Sequence, residues 1–167
     1  IARSVLLSPA GDAPADESAI RHITAQQQIF DGWYTDYKKQ LDVLVDIPDH
    51  PVYTYACADY ITQVIYNLLD NAVKFCPISG QLGLRIREGD AKLYFSVSND
   101  GETIPPEELP MLFDRFHKLD KSRSQNRDGW GLGLYIVKTI VCSHGENISV
   151  SSHDGRTEFT FTMPLVN

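Results

Sequence analysis

Glycines at positions 129, 131 and 133, in Gly129-Trp-Gly131-Leu-Gly133-Leu134, stand between a polar loop and the start of a helical pattern. Residues without a Cβ let backbone N–H groups approach phosphate oxygens, and a helix start adds a favourable dipole. A lone G-x-G-x-G also occurs without a ligand, and this one follows a loop where the dinucleotide-binding pattern requires a strand. Upstream, Val97-Ser-Asn99-Asp100-Gly101-Glu-Thr-Ile104-Pro105 sets a carboxamide and a glycine directly after an apolar strand. That turn could hold the edge of an adenine, although Asn-Asp-Gly is equally a generic turn signal. A third group, Asn67, Asn71 and Lys74, falls at i, i+4 and i+7 and shares one face of an otherwise apolar helix. Taken singly, such a face is the solvated side of an amphipathic helix. The occurrence of all these groups in order along one chain is the stronger signal.

The elements that must position these groups follow from hydrophobic period. Ser8 to Glu17 is rich in Pro, Gly, Ala and acids without periodicity and reads as a linker, with order expected to begin after it. Residues 1–24 are assigned to an arm left from an upstream helical region and 25–167 to the domain proper. Phe30, Trp33, Tyr34, Tyr37 and Leu41 recur at helical spacing as an aromatic stripe, weakened locally by Gly32. Leu41, Val43, Val45 and Ile47 then alternate as in a strand with one strongly buried face, which Pro48 ends.

A short strand over Val52 to Ala56 leads to Asp59, expected as an N-cap. Ile61, Val64, Ile65, Leu68, Leu69, Ala72 and Val73 mark the apolar face of a long helix that Pro77 and Gly80 close. Gln81 to Arg87 and Lys92 to Ser98 form a hairpin. Pro105 and Pro106 open a short helix ending near Phe116, and the polar stretch Asp120 to Asp128 is a surface loop. A helix over Gly131 to Cys142 and strands near Asn147 to Ser152 and Thr157 to Met163 complete the chain. This order predicts a two-layer α/β sandwich, a mixed sheet of about five strands with the helices on one face.

Composition narrows the function classes. The chain has 167 residues, 43% hydrophobic and 22% charged, which suits one soluble domain with one core. A formal charge of −7 leaves no basic surplus for a nucleic-acid backbone, so a bound polyanion must be held locally. Cys57, Cys76 and Cys142 show no C-x-x-C spacing, so neither a disulfide framework nor a zinc site is expected and a reducing cytoplasm fits. No stretch approaches the roughly 20 apolar residues of a membrane span, and no signal-peptide pattern opens the chain. No direct membrane contact is expected. The chain starts at Ile1 without Met and is expected to be a fragment.

With the intervening Leu112-Phe113-Asp-Arg115-Phe116-His-Lys118, the ordered motifs resemble the N box, first glycine box, F box and second glycine box of the histidine-kinase catalytic domain, a branch of the GHKL ATPases with a Bergerat-type fold. The resemblance runs from about Leu41 to Pro164, most specifically over Gln63 to Phe75, Leu112 to Phe116 and Gly129 to Val137. It implies ATP and Mg²⁺ as cofactors. Asn71 would ligate the cation, Asn67 would lie close to the phosphates and Lys74 would approach the triphosphate; a hard cation suits amide and phosphate oxygens. Phe75 would flank the adenine. Asn99 stands where most of the family carries an Asp that accepts from the adenine amino group, with Gly101 and Ile104 shaping that pocket. Phe113 and Phe116 would anchor an ATP lid while also serving the core. Gly129, Gly131, Leu132, Gly133 and Leu134 would cradle phosphates, and Arg115 and Lys118 would reach the γ-phosphate. Arg123 and Arg127 read as solvated lid charges.

The departures are local. The usual D-x-G-x-G is Asn99-Asp-Gly101-Glu-Thr103, a common glycine is Glu146, and the terminal Gly-Thr pair is Arg156-Thr157. The last two are expected to be peripheral to the phosphate site. In the family's hydrolases, such as DNA gyrase, a Glu four residues before the Mg²⁺-binding Asn activates water. Asn67 occupies that position and cannot act as a base, so hydrolysis is disfavoured. The resemblance thus implies a kinase domain whose partners are a dimerisation and histidine-phosphotransfer domain and a response regulator, with Asn67, Lys74, Arg115 and Lys118 as its catalytic groups. It would be cytoplasmic, within a membrane-anchored parent, and monomeric in isolation. The phosphoacceptor histidine is expected outside the chain, since His22 lacks the usual following acid. The alternatives are a degenerate module that senses nucleotide without catalysis and a ligand-free scaffold.

Overall fold

The computed structural model describes residues 3–7, 40–50, 52–116 and 132–166. The expected helix before residue 40, and His22, lie outside them, as do Lys118, Arg123, Arg127, Gly129, Trp130 and Gly131.

The chain order is β1 (Arg3–Leu7), β2 (Asp42–Asp46), β3 (Val52–Ala56), helix α1 (Ala58–Phe75), β4 (Gln81–Gly89), β5 (Lys92–Asp100), a 3-10 turn (Leu109–Phe113), helix α2 (Gly133–Ser143), β6 (Ile148–His153) and β7 (Arg156–Pro164). A five-stranded sheet runs β2-β4-β5-β7-β6, with β2 and β4 parallel and the other pairs antiparallel. This is the mixed sheet of an α/β sandwich. β1 pairs antiparallel with β3 as a separate two-stranded ribbon. Strand β1 precedes the Ser8–Glu17 stretch, so order does not begin only after it.

Alternation along the strands separates the two faces of the sheet. Leu82, Ile86, Leu93, Phe95, Val97, Phe159, Phe161 and Met163 are buried, and join Ile61, Val64, Leu68, Leu69, Ala72 and Val73 of α1 in one core with Val137, Ile140 and Val141 of α2. Phe95 and Phe161 stack across β5 and β7 with ring centroids 4.9 Å apart, worth about 0.5–1.5 kcal/mol beyond area burial. The opposite face carries Arg85, Arg87, Ser96, Thr160 and Glu158, whose side chains bond one another or their neighbours.

His144 ties the helices together. Its Nδ1 donates to the Ile140 carbonyl at 2.8 Å, and its Nε2 accepts from the Cys57 backbone N–H at 3.3 Å. The end of α2 therefore meets the start of α1, while Gly133 at the start of α2 lies beside Asn67 in the second half of α1. The helices run antiparallel, which brings the amide face of α1 to the N-terminus of α2.

The structure corrects several local expectations. Cys57, not Asp59, is the N-cap of α1, and Asp59 sits in the first turn, where its charge complements the dipole without capping. The segment after Pro106 forms only a 3-10 turn, Leu109–Phe113. The β2 face is not strongly buried: Leu41 is, but Val45 is 57% exposed and Ile47 is exposed, because β2 is an edge strand. Phe113 is a core residue packed edge-on to Phe159, whereas Phe116 is 62% exposed.

Candidate nucleotide site

The second half of α1 is the floor on which the remaining groups converge. Leu68, Leu69, Ala72 and Val73 anchor it in the core, leaving Asn67, Asn71 and Lys74 partly buried on a shared face. Lys74 Nζ lies 2.6 Å from Asp70 Oδ2, an i, i+4 pair with both side chains about three-quarters buried. The Asn67 side-chain Nδ2 is buried with no hydrogen-bond partner; Thr54 Oγ1 on β3 is the other such atom among the described residues. A buried donor left unmade costs about 1–3 kcal/mol, so Asn67 is held there against its own solvation.

The Asn67 carboxamide lies beside the start of α2. A Cβ built on Gly133 would come 4.0 Å from the Asn67 carboxamide. The first carbonyl of the α2 ladder is that of Leu132, which accepts from Ile136 N at 2.9 Å. The N–H groups of residues 133–135 thus lie outside the ladder, at the positive end of the helix. Leu134 packs against the core behind this turn. An orphan amide donor beside a helix N-terminus is a place for an anionic oxygen.

At the C-terminal end of α1 the site meets β5. Gly101 passes so close to the helix end that an added Cβ would lie 3.1 Å from the Phe75 carbonyl and 3.4 Å from Asn99 Nδ2; a larger residue there would have to displace backbone. Asn99 is 3% exposed, on the helix-facing side of β5. Its Nδ2 donates to the Asp100 carbonyl at 2.8 Å, which leaves Oδ1 as the acceptor of the pair. Phe75 is 45% exposed at the rim, and Ile104 packs against the core.

After the 3-10 turn, Arg115 lies 5.1 Å from the Tyr135 ring of α2 and 5.9 Å from the Phe116 ring. The segment with Arg115 and Phe116 is thereby held against the first turns of α2. Phe116 has φ 60, a left-handed conformation that few side chains adopt and that turns the chain sharply after Arg115. Of the expected site residues, Asn67, Asn71, Lys74, Phe75, Asn99, Gly101, Ile104, Leu132, Gly133, Leu134, Arg115 and Phe116 are described and line α1, the end of β5 or the start of α2. Lys118, Gly129 and Gly131 lie outside the described residues.

Sequence reasoning missed the groups that hold the β5 turn in place. Gly101 N donates to Gly155 O at 2.9 Å, Gly155 N to Thr103 Oγ1 at 2.9 Å, and Ile104 N to Ser152 Oγ at 2.9 Å. Arg156 Nη1 lies 3.0 Å from Asp100 Oδ1. The β6–β7 turn makes these contacts possible: Asp154 (φ 51) and Gly155 (φ 73) are both left-handed, the geometry of a tight hairpin. Arg156 is thus adjacent to the Asn99–Gly101 end of the candidate site. Glu146 is remote: it bonds Lys92 at 2.8 Å, at the other end of β5 from Asn99. The available signal was the pairing of two departures, Thr103 and Arg156, in one chain.

Known proteins give the same reading. The family model described as histidine kinase-, DNA gyrase B-, and HSP90-like ATPase matches residues 57–167. The sensor histidine kinase WalK of Bacillus subtilis is 35% identical over 139 residues, covering 81% of this chain and 23% of that protein. The chain spans about a quarter of the length of that curated relative. Among solved structures, the catalytic domain of histidine kinase ThkA in a nucleotide-free form superposes with a TM-score of 0.74 at 25% identity, covering 87% of this chain and 91% of that one. ThkA in complex with the response regulator TrrA gives the same TM-score of 0.74 at 20% identity, a likeness of fold, covering 99% of this chain and 42% of that one.

Proposed function

The chain belongs to the histidine kinase-, DNA gyrase B- and HSP90-like ATPase family, as an ATP-binding catalytic domain of the histidine-kinase kind. From that premise we propose that it binds Mg·ATP between α1, the end of β5 and the start of α2, and donates the γ-phosphate to a histidine on a separate dimerisation and phosphotransfer domain. That histidine would then supply the aspartate of a response regulator, the kind of partner seen with ThkA. On that reading the domain would work in the cytoplasm, within a parent held at the membrane by segments outside this chain. Among the described residues no helix is long and apolar enough to cross a membrane.

The observation that carries the reading is the orphan, buried Asn67 Nδ2 of a carboxamide that lies beside the start of α2. A phosphate oxygen would satisfy that donor together with the first amides of α2. Asn71, one turn further along the same face, would offer its amide oxygen to the cation. When bound, Mg²⁺ supplies charge neutralisation across the phosphates.

Lys74 would bring an ammonium to the triphosphate, exchanging its bond to Asp70. Arg115, braced on the Tyr135 ring, would stabilise charge on the transferring group with Lys118. At the base end, Asn99 Oδ1 would accept from the adenine amino group beside Gly101 and Ile104, and Phe75 would flank the ring. Asn67 carries no carboxylate to activate water, so the γ-phosphate is kept for a protein acceptor.

Calorimetric titration of the chain with ATP, with Mg²⁺ and with chelator, tests the site, and Asn71→Ala should abolish the Mg²⁺-dependent part of the binding. Adding a separately expressed phosphotransfer hairpin and labelled ATP tests transfer. Tight binding with an unlabelled, competent hairpin would replace catalysis with nucleotide sensing. Absence of binding would remove both.

A further inference from the structure

Asn99 raises a problem of base selection. A carboxylate at that position can only accept, whereas a carboxamide can present either its oxygen or its amino group by turning over. Turned one way it accepts from a 6-amino purine; turned the other way it donates to a 6-oxo purine. The structure disfavours the second choice: Asn99 Nδ2 donates to the Asp100 carbonyl at 2.8 Å, and turning the amide over would set Oδ1 against that carbonyl oxygen.

The Asp100 carbonyl is in turn fixed from the far side of the sheet. Asp100 follows Asn99 on β5, so its side chain points away from the helices. There Asp100 Oδ2 accepts from the Gln81 backbone N–H at 2.8 Å and Oδ1 from Arg156 at 3.0 Å. Arg156 also donates to Gln81 Oε1 at 3.1 Å and Ser98 Oγ at 2.8 Å. Gly83 leaves the room this requires: a Cβ there would fall 3.0 Å from the guanidinium and 2.5 Å from Ser98 Oγ. The guanidinium spans β4, β5 and β7, in a register where Asp100 faces Arg156 directly.

We propose that Arg156 is a positioning residue for base selectivity. Through Asp100 it holds the Asn99 carboxamide with its oxygen toward the ligand, so that the chain takes 6-amino purine nucleotides and rejects 6-oxo ones. Thr103 completes the brace by accepting from Gly155 N at 2.9 Å. The departures at Asn99, Thr103 and Arg156 are thereby one device: a neutral amide replaces the acid, and the clamp supplies the orientation that charge would otherwise enforce. The inference rests on the nucleotide reading above.

Its test is the ratio of affinities of the 167-residue chain for ADP and inosine diphosphate, which differ at the 6-position, measured by calorimetry with Mg²⁺. Wild type should prefer ADP by at least about tenfold, the worth of a made against an unmade buried hydrogen bond. Arg156→Met should shrink that ratio about five- to tenfold, with Arg156→Lys partly restoring it, because one cation still reaches Asp100. A melting curve establishes that each variant is folded; should Arg156→Met not fold, Asp100→Ala and Thr103→Val carry the same expectation. A clamp that merely stabilised the fold would weaken both nucleotides by one factor, and an unchanged ratio overturns the inference. So does a wild type that binds both equally, which leaves the nucleotide reading standing. A wild type that binds neither sinks that reading and this one together.

Discussion

The open face of the sheet and the amide face of α1 both carry closely spaced polar groups, yet they solve the problem of polarity differently. On the open face, Asp46 pairs with Arg87 and lies 3.7 Å from Arg85, which is 3.8 Å from Glu158. These side chains are about half exposed or somewhat less, and each finds its opposite within the chain. On α1, Asn67 holds a buried donor that no described residue satisfies. Exposed charges that complete one another keep a face soluble and contribute little. A buried polar atom without a partner is retained against a free-energy cost, and a ligand is the simplest reason for retaining it.

Replacing Asn67 would break the comparison most directly. Asn67→Leu should bind Mg·ATP at least about tenfold more weakly, while the nucleotide-free protein becomes about 1 kcal/mol more stable, since the unmade donor is gone. Calorimetry and chemical denaturation read the two effects. Loss of both binding and stability would mean that Asn67 is structural and the contrast with the open face is false.

Glu146 is an intermediate case, buried yet paired with Lys92 and Thr162. Burial pushes its carboxyl up, but the Lys92 ammonium and the Thr162 hydroxyl together hold it below the ordinary value of 4.5. A carboxyl lowered by folding stabilises the fold above that value, and the contribution is lost as pH falls through the lower, folded value. Wild type should exceed Glu146→Gln by about 1 kcal/mol at neutral pH, a figure kept small because the Lys92 side chain is 38% exposed. The gap should close below pH 4.5. A gap independent of pH would show that the pairing carries no charge.

The smallest effect belongs to the open face. Arg87→Ala should leave ADP affinity unchanged and shift the melting temperature barely, with any shift vanishing in high salt. A salt-insensitive loss of stability would place this pair among the buried ones.

Much of the fold was legible because it is written in period. The alternating residues of β4 and β5 and the apolar positions of α1 depend only on which face meets the core, and that face is marked by residue type. Leu41 to Ile47 shows the limit. Its alternation is that of a half-buried strand, but exposure of Val45 was decided by the edge position of β2, which no local pattern records. Asp59 is a comparable case: a favourable cap residue that comes two residues after the actual cap, because the helix starts where Cys57 meets His144 from the distant end of α2.

The site was legible in its parts. Amides at helical spacing, a turn glycine at 101 and glycines before α2 could be picked out because each residue type is tied to a local backbone or side-chain demand. Their convergence was given by the family resemblance, not by spacing. Arg156 could not be assigned, because its partners Asp100, Gln81 and Ser98 come from other strands.

What the sequence by itself determined is the set of elements and the positions of the groups proposed to hold a nucleotide, since helix, strand and turn propensities act within a few residues. Only the tertiary structure decided that Asn67 is left without a partner among the described residues and that Arg156 reaches Asp100 behind Asn99. Burial and pairing depend on neighbours brought together by the sheet order and by the antiparallel docking of α1 and α2, and those contacts join residues far apart along the chain.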